Sequence, residues 1–138
     1  MTQRFGIDTS ILVRLATGEP EADFDSTVAA LTHLVERDHA AIFAANMVVA
    51  EAYIALQHHY GVAKPDAKSA LSSVLSSGLV APNGGQAVLD ALASRKGCGL
   101  MDRLIALQYA AEGSEALTLD RKMAALPNAS LLSRKMAR

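Results

Sequence analysis

Short apolar runs alternate with helical stretches from one end of this 138-residue chain to the other, and that alternation restricts its architecture more than any single residue does. Parallel strands need a long crossover between them, a helix supplies it, and the resulting sheet is covered on both faces. Taken in order, Gly6 to Asp8 ends a first strand and Thr9 to Thr17 forms a short helix stopped by Gly18-Glu19-Pro20. Residues 23–38 place Val28, Leu31, Leu34 and Val35 at helical spacing, with Asp25 or Ser26 as the expected N-cap. Residues 41–44 read as a buried strand, and Asn46 is expected to cap a helix running to about Tyr60, closed by Gly61. Pro65-Asp66 opens a helix to Leu75, residues 78–82 form a third strand, and Asn83-Gly84-Gly85 turns into a helix over 86–95. After Gly97-Cys98-Gly99 comes a helix over 100–112, apolar enough to be expected largely buried. Residues 116–119 and 129–132 complete the strands, around a short helix over 120–126 that Pro127 stops. No internal repeat, low-complexity segment or linker interrupts the series, so a single domain over residues 1–138 is expected.

With 51% of its residues apolar, the chain can bury a core. Its longest apolar region, residues 40–56, is broken by Asn46 and Glu51 and is too short for a membrane span; no apolar signal core opens the sequence, and a cytoplasmic location is expected. Cys98 is the sole cysteine, which excludes an internal disulfide and a multi-cysteine zinc site. The net charge of −1 is unevenly spread: residues 1–51 hold three Lys/Arg against eight Asp/Glu, and residues 95–138 hold eight against four. A basic C-terminal third fits a nucleic-acid-facing surface and equally fits ordinary solubility.

Four acids stand out from this background. Asp8 follows the first strand, Glu51 lies within a helix, Asp102 opens the helix after Gly99, and Asp120 follows the strand at 117–119. An Asp at a helix start has an ordinary explanation in capping and the macrodipole. Glu51 has less of one, because Val48, Val49, Ala52, Tyr53 and Leu56 leave its helix little polar face. Acids gathered and partly buried repel one another unless a cation compensates. Oxygen ligands without histidine or thiolate suit Mg²⁺ or Mn²⁺, which bind through a few carboxylates and a substrate phosphate. The chemistry implied is phosphodiester hydrolysis.

The four segments that carry these acids, GIDTSILVRLATGE, NMVVAEAYIAL, GLMDRLIALQYA and ALTLDRKMAALP, resemble in order and spacing the PIN-domain nucleases, and among them the VapC-type toxins of bacterial toxin–antitoxin pairs. The resemblance spans essentially the whole chain. It implies a PIN-like α/β/α sandwich with a mostly parallel central sheet of four to five short strands. It further implies a metal-dependent endoribonuclease whose acidic pocket binds Mg²⁺ or Mn²⁺ and cleaves RNA. Asp8 and Asp102 are then the expected direct metal ligands, and Glu51 and Asp120 complete the pocket directly or through water. One of the acids also orients or deprotonates the attacking water. Ser10 and Thr118 are expected to support Asp8 and Asp120 from a second layer. Arg14, Arg103, Arg121 and Lys122 are candidate contacts to RNA phosphates, and Arg134, Lys135 and Arg138 form a basic tail that adds sequence-independent affinity. The resemblance implies a homodimer and a VapB-like antitoxin seated on a groove walled by the helices at 23–38 and 46–60, with Met47 as an adaptable contact. Two departures concern substrate choice: the strand before Glu51 lacks proline and serine, and Leu119 stands at a position often polar in the family.

Other readings are weaker. His33, His39, His58 and His59 lack zinc-ligand spacing, and neither Gly84-Gly85 nor Gly97-Cys98-Gly99 completes a nucleotide-binding motif. Without Trp, and with three Tyr and three Phe, base stacking is not the main mode of RNA binding. A phosphoaspartate phosphatase needs an acid where Ser10 stands, and a receiver domain needs paired acids where Asp8 stands alone. The remaining rival is a non-catalytic PIN-fold module that binds RNA or protein.

Overall fold

The computed structural model describes residues 2–133, so the basic tail of Arg134, Lys135 and Arg138 lies outside the described residues. The chain divides into two compact units, one ending at Ala93 and the other beginning at Ser94. The first contains β1 (Arg4–Ile7), α1 (Thr9–Thr17), α2 (Glu21–Glu36), β2 (Ala41–Ala44), α3 (Asn46–His58), α4 (Lys64–Leu75), β3 (Ala81–Pro82) and α5 (Gln86–Ala93). The second contains α6 (Leu100–Ala111), β4 (Ala116–Thr118), α7 (Arg121–Ala124) and β5 (Ala129–Leu131). The mixed α/β class is as the alternation predicts, and every strand pairing among the described residues is parallel.

In the first unit β2 is the central strand of three. Ile7 stands opposite Ala44, and Ala44 opposite Pro82, so the three strands end at one common edge. Leu12, Val49, Leu56, Leu71 and Val88 are fully buried and form the middle of this core, where α1 packs on α3 and α4. Burial of each such side chain contributes about 1.5–3 kcal/mol before the opposing chain entropy is counted. On the strand side, the guanidinium of Arg4 lies 3.9 Å from the centre of the Phe43 ring, a contact between β1 and β2.

The second unit is smaller. β4 and β5 form a two-stranded sheet, with Ala116 opposite Ala129, and those two residues pack with Ala106 and Met123. Asn128 ties this sheet to α6 by donating its side-chain amide to the Ala106 carbonyl at 2.7 Å.

Several boundaries differ from expectation for local reasons. The second helix starts at Glu21, with Pro20 as its extended N-cap residue, so neither Asp25 nor Ser26 caps it; proline directly before a helix needs no N–H partner. Asn46 is a buried first residue of α3, and the cap position belongs to Ala45. The third strand is confined to Ala81–Pro82. The hydroxyls of Ser76 and Ser77 bond back to Ser72 and Val74, and Leu79 donates to the Ser77 hydroxyl, which keeps the chain in a turn before pairing begins. The helix over 100–111 is not largely buried: Leu100, Leu104 and Ala106 face inward, whereas Ile105 and Tyr109 are each 45% exposed. No helix among the described residues is long and apolar enough to cross a membrane.

Candidate functional site

In the first unit the common edge of β1, β2 and β3 is the place where an open parallel sheet offers a crevice to ligands. Asp8 is the residue after β1, and it is also the N-cap of α1. Its Oδ1 accepts from the Ser10 hydroxyl at 2.6 Å and from the Ile11 N–H at 3.3 Å. Those two bonds, the hydroxyl first, hold the Asp8 carboxyl below the ordinary aspartate range, against a small opposing effect of burial. The side chain is thus ionised, exposed and fixed in direction. Capping uses one oxygen of a group with about four lone-pair positions, so acceptor capacity remains for a cation. At the same edge, Asn83 N–H donates to the Ala44 carbonyl at 2.8 Å, which closes the turn from β3 onto the start of α3.

Glu51 does not sit in an apolar setting as its neighbours in sequence suggest. Asn46, Val49, Ala52, Tyr53 and Leu56 take the inner side of α3, and Glu51 is exposed on the outer side between Met47, 74% exposed, and Ile54, 43% exposed. The helix is amphipathic in position but apolar on both faces, which is why its sequence alone misplaces this glutamate. Its carboxylate is exposed to solvent rather than held among apolar side chains.

In the second unit Asp120 stands two residues past β4 and caps α7. Its Oδ1 accepts from Lys122 N–H at 2.7 Å and Met123 N–H at 3.1 Å, while its own N–H donates to the Thr118 hydroxyl at 3.0 Å. Thr118 therefore steadies the backbone of Asp120, and Ser10 reaches the carboxylate of Asp8 itself. Asp102 lies half-buried in the first turn of α6, whose N-cap residue Gly99 has no side chain to cap it. Asp8 and Asp120 repeat one device: an acid just past a strand, turned into an N-cap.

The basic candidates fall in different settings. Arg14 is half-buried in the last turn of α1, Arg121 and Lys122 are exposed in the first turn of α7, and Arg103 is half-buried with its guanidinium on backbone carbonyls. That use of Arg103 was not anticipated from sequence; the available signal was an arginine in a helix's first turn just after a loop containing two glycines. Among the described residues, no group of three or more His, Cys, Asp and Glu side chains is gathered tightly enough to hold a metal ion. The donor chemistry still fits a hard divalent ion, which keeps several waters and takes only one or two carboxylates directly. An open depression of about 740 Å³ lined by Thr17, Glu19, Glu21 and Tyr60 lies at the opposite end of α1 from Asp8 and contains none of the four acids.

No curated protein and no solved structure matches the chain at a significant level. The family model described as PIN domain matches residues 6–129, a span that takes in Asp8, Glu51, Asp102 and Asp120. The chain therefore belongs to the PIN domain family, whose fold is generally that of a nuclease.

Proposed function

We propose that this PIN domain is a Mg²⁺- or Mn²⁺-dependent endoribonuclease of the VapC toxin type, with Asp8, Glu51, Asp102 and Asp120 as its acidic donors. The observation that carries the reading is the family match over residues 6–129, within which all four acids occupy the segments that resemble the family's motifs. A bound divalent ion would neutralise the charge that builds on the phosphodiester as water attacks. The protein's own residues supply the rest. Asp8 is held ionised and in one direction by Ser10 and Ile11, which suits a rigid ligand. Asp102 is its counterpart as a direct donor, and Asp120, fixed by its capping bonds, completes the set. Glu51, solvated on the open side of α3, suits the role of accepting a proton from water.

A VapB-like antitoxin and a second copy of the chain are part of the same proposal. Support comes from α3, which turns Met47 and Ile54 outward, and from α2, where Leu31 is the one buried residue. A purified protein that stays monomeric and captures no co-encoded neighbour would count against both partners.

The activity is tested by incubating purified protein with transfer, ribosomal and messenger RNA in Mg²⁺, in Mn²⁺ and in chelator, beside Asp8→Asn and Asp102→Asn. Metal-dependent cutting lost in both variants supports the reading. Absence of cutting on every RNA, with no metal binding by calorimetry, leaves the non-catalytic RNA- or protein-binding module instead.

A further inference from the structure

Arg103 follows Asp102 in the first turn of α6, yet its guanidinium turns back along the chain rather than outward. Nε donates to the Cys98 carbonyl at 3.1 Å, and Nη2 donates to the Lys96 carbonyl. These two acceptors flank Gly97, whose φ of +80° is a left-handed conformation that few side chains tolerate. A Cβ at Gly97 would come within 3.1 Å of Nη2, so the guanidinium also packs directly against that glycine. Cys98 is buried, while Arg95 and Lys96 are exposed. The loop is therefore held by a planar fork that spans two of its carbonyls.

This arrangement stands where α6 lacks an ordinary cap. Gly99 offers no side-chain acceptor, and a first turn with free N–H groups frays unless something ties the incoming chain to it. We infer that Arg103 is a positioning residue: it staples the loop of residues 96–98 to the first turn of α6, fixes the backbone from which Asp102 projects, and does not bind RNA. The consequence for Asp102 rests on the nuclease reading given above; the staple itself does not.

Arg103→Lys separates this from a phosphate contact, because lysine keeps the charge but its ammonium cannot span two carbonyls. Gly97→Ala is the second variant, since it leaves Arg103 in place while displacing the guanidinium and straining the turn. Amide hydrogen exchange by mass spectrometry over residues 96–104 reads the staple without requiring any activity. The expected result is exchange at least about tenfold faster there in both variants, with the remainder of the chain unchanged. Mn²⁺ affinity of the folded protein is expected to fall about tenfold, the usual loss when a group behind a ligand is removed. RNA cleavage should lose kcat with KM and the salt slope of RNA binding unchanged. Wild-type exchange in Arg103→Lys, together with a salt slope about one unit shallower in Arg103→Met, would overturn the inference and make Arg103 a phosphate contact. Failure of the nuclease reading is recognised separately: Asp102→Asn would then leave cleavage and Mn²⁺ binding as in the wild type, while exchange over 96–104 still decides whether the staple exists.

Discussion

Asp8 shows how one side chain meets a structural and a chemical requirement together. Its Oδ1 caps α1 through the Ile11 N–H, and the Ser10 hydroxyl first, with that capping bond second, lowers the pKa of the carboxyl. Because its folded-state pKa is lowered, this group's contribution to stability is present above the unfolded-state pKa and is lost as pH falls through the folded-state value. Ser10→Ala removes the largest cause, so carbon-13 NMR titration should show the Asp8 pKa rising toward the ordinary aspartate value; an unchanged value would mean that the Ser10 bond is not formed. Gly84 is constrained by contact rather than by dihedral. An added Cβ would lie 2.7 Å from Cγ2 of Val88 and 3.1 Å from Oδ1 of Asn46. Val88 is fully buried and branched at Cβ, so it has no free rotamer to move into. Gly84→Ala should therefore lower unfolding free energy by about 1–3 kcal/mol in urea denaturation. The sequence marked Gly84 as a turn residue and Asn46 as a cap; it carried no sign that the two are packed together, since that contact joins segments nearly forty residues apart.

At the scale of elements, α3 and α6 mark the limit of reading burial from composition. Both are apolar almost all round, which predicts helices buried all round. Each instead buries one stripe and turns the other outward: Met47 and Ile54 on α3, Ile105 and Tyr109 on α6. Two substitutions on α3 test that division. Leu56→Ala, on the fully buried side, should cost about 2–5 kcal/mol. Ile54→Gln, on the outward side, should change the stability of the isolated monomer by less than about 0.5 kcal/mol, as read by urea unfolding at a concentration where the protein is monomeric. Equal losses at both positions would show that the outer face is covered in solution. Element types and order were legible because period-2 and period-3.6 patterns are long-lived signals along the chain. Strand pairing was less so. β3 has two residues and β4 and β5 three each, too few to carry register, and the serines at 76 and 77 decide where β3 begins through bonds to their own backbone.

For the whole molecule, the family was legible because four short segments in fixed order constrain a family far more tightly than any one carboxylate, and the PIN match over residues 6–129 agrees with that family. The capping of α1 by Asp8 and of α7 by Asp120 was legible too, because it is local; the exposure of Glu51 and the turn-back of Arg103 were not, since they depend on how the side chains settle in the folded chain. The net charge of −1 hides a basic excess beyond residue 95, so RNA binding should weaken steeply with added salt, as filter binding between 50 and 200 mM would show. If the four carboxylates are donors to a divalent ion, as proposed, Mn²⁺ titration by calorimetry is the decisive measurement. Asp8→Asn, Glu51→Gln, Asp102→Asn and Asp120→Asn are suitable variants, because each keeps the size of the side chain while removing its charge, and asparagine caps helices as well as aspartate does at 8 and 120. Each substitution should weaken Mn²⁺ binding by at least about tenfold with little change in melting temperature. Wild-type affinity in all four, or no binding by the unaltered protein, would contradict the account.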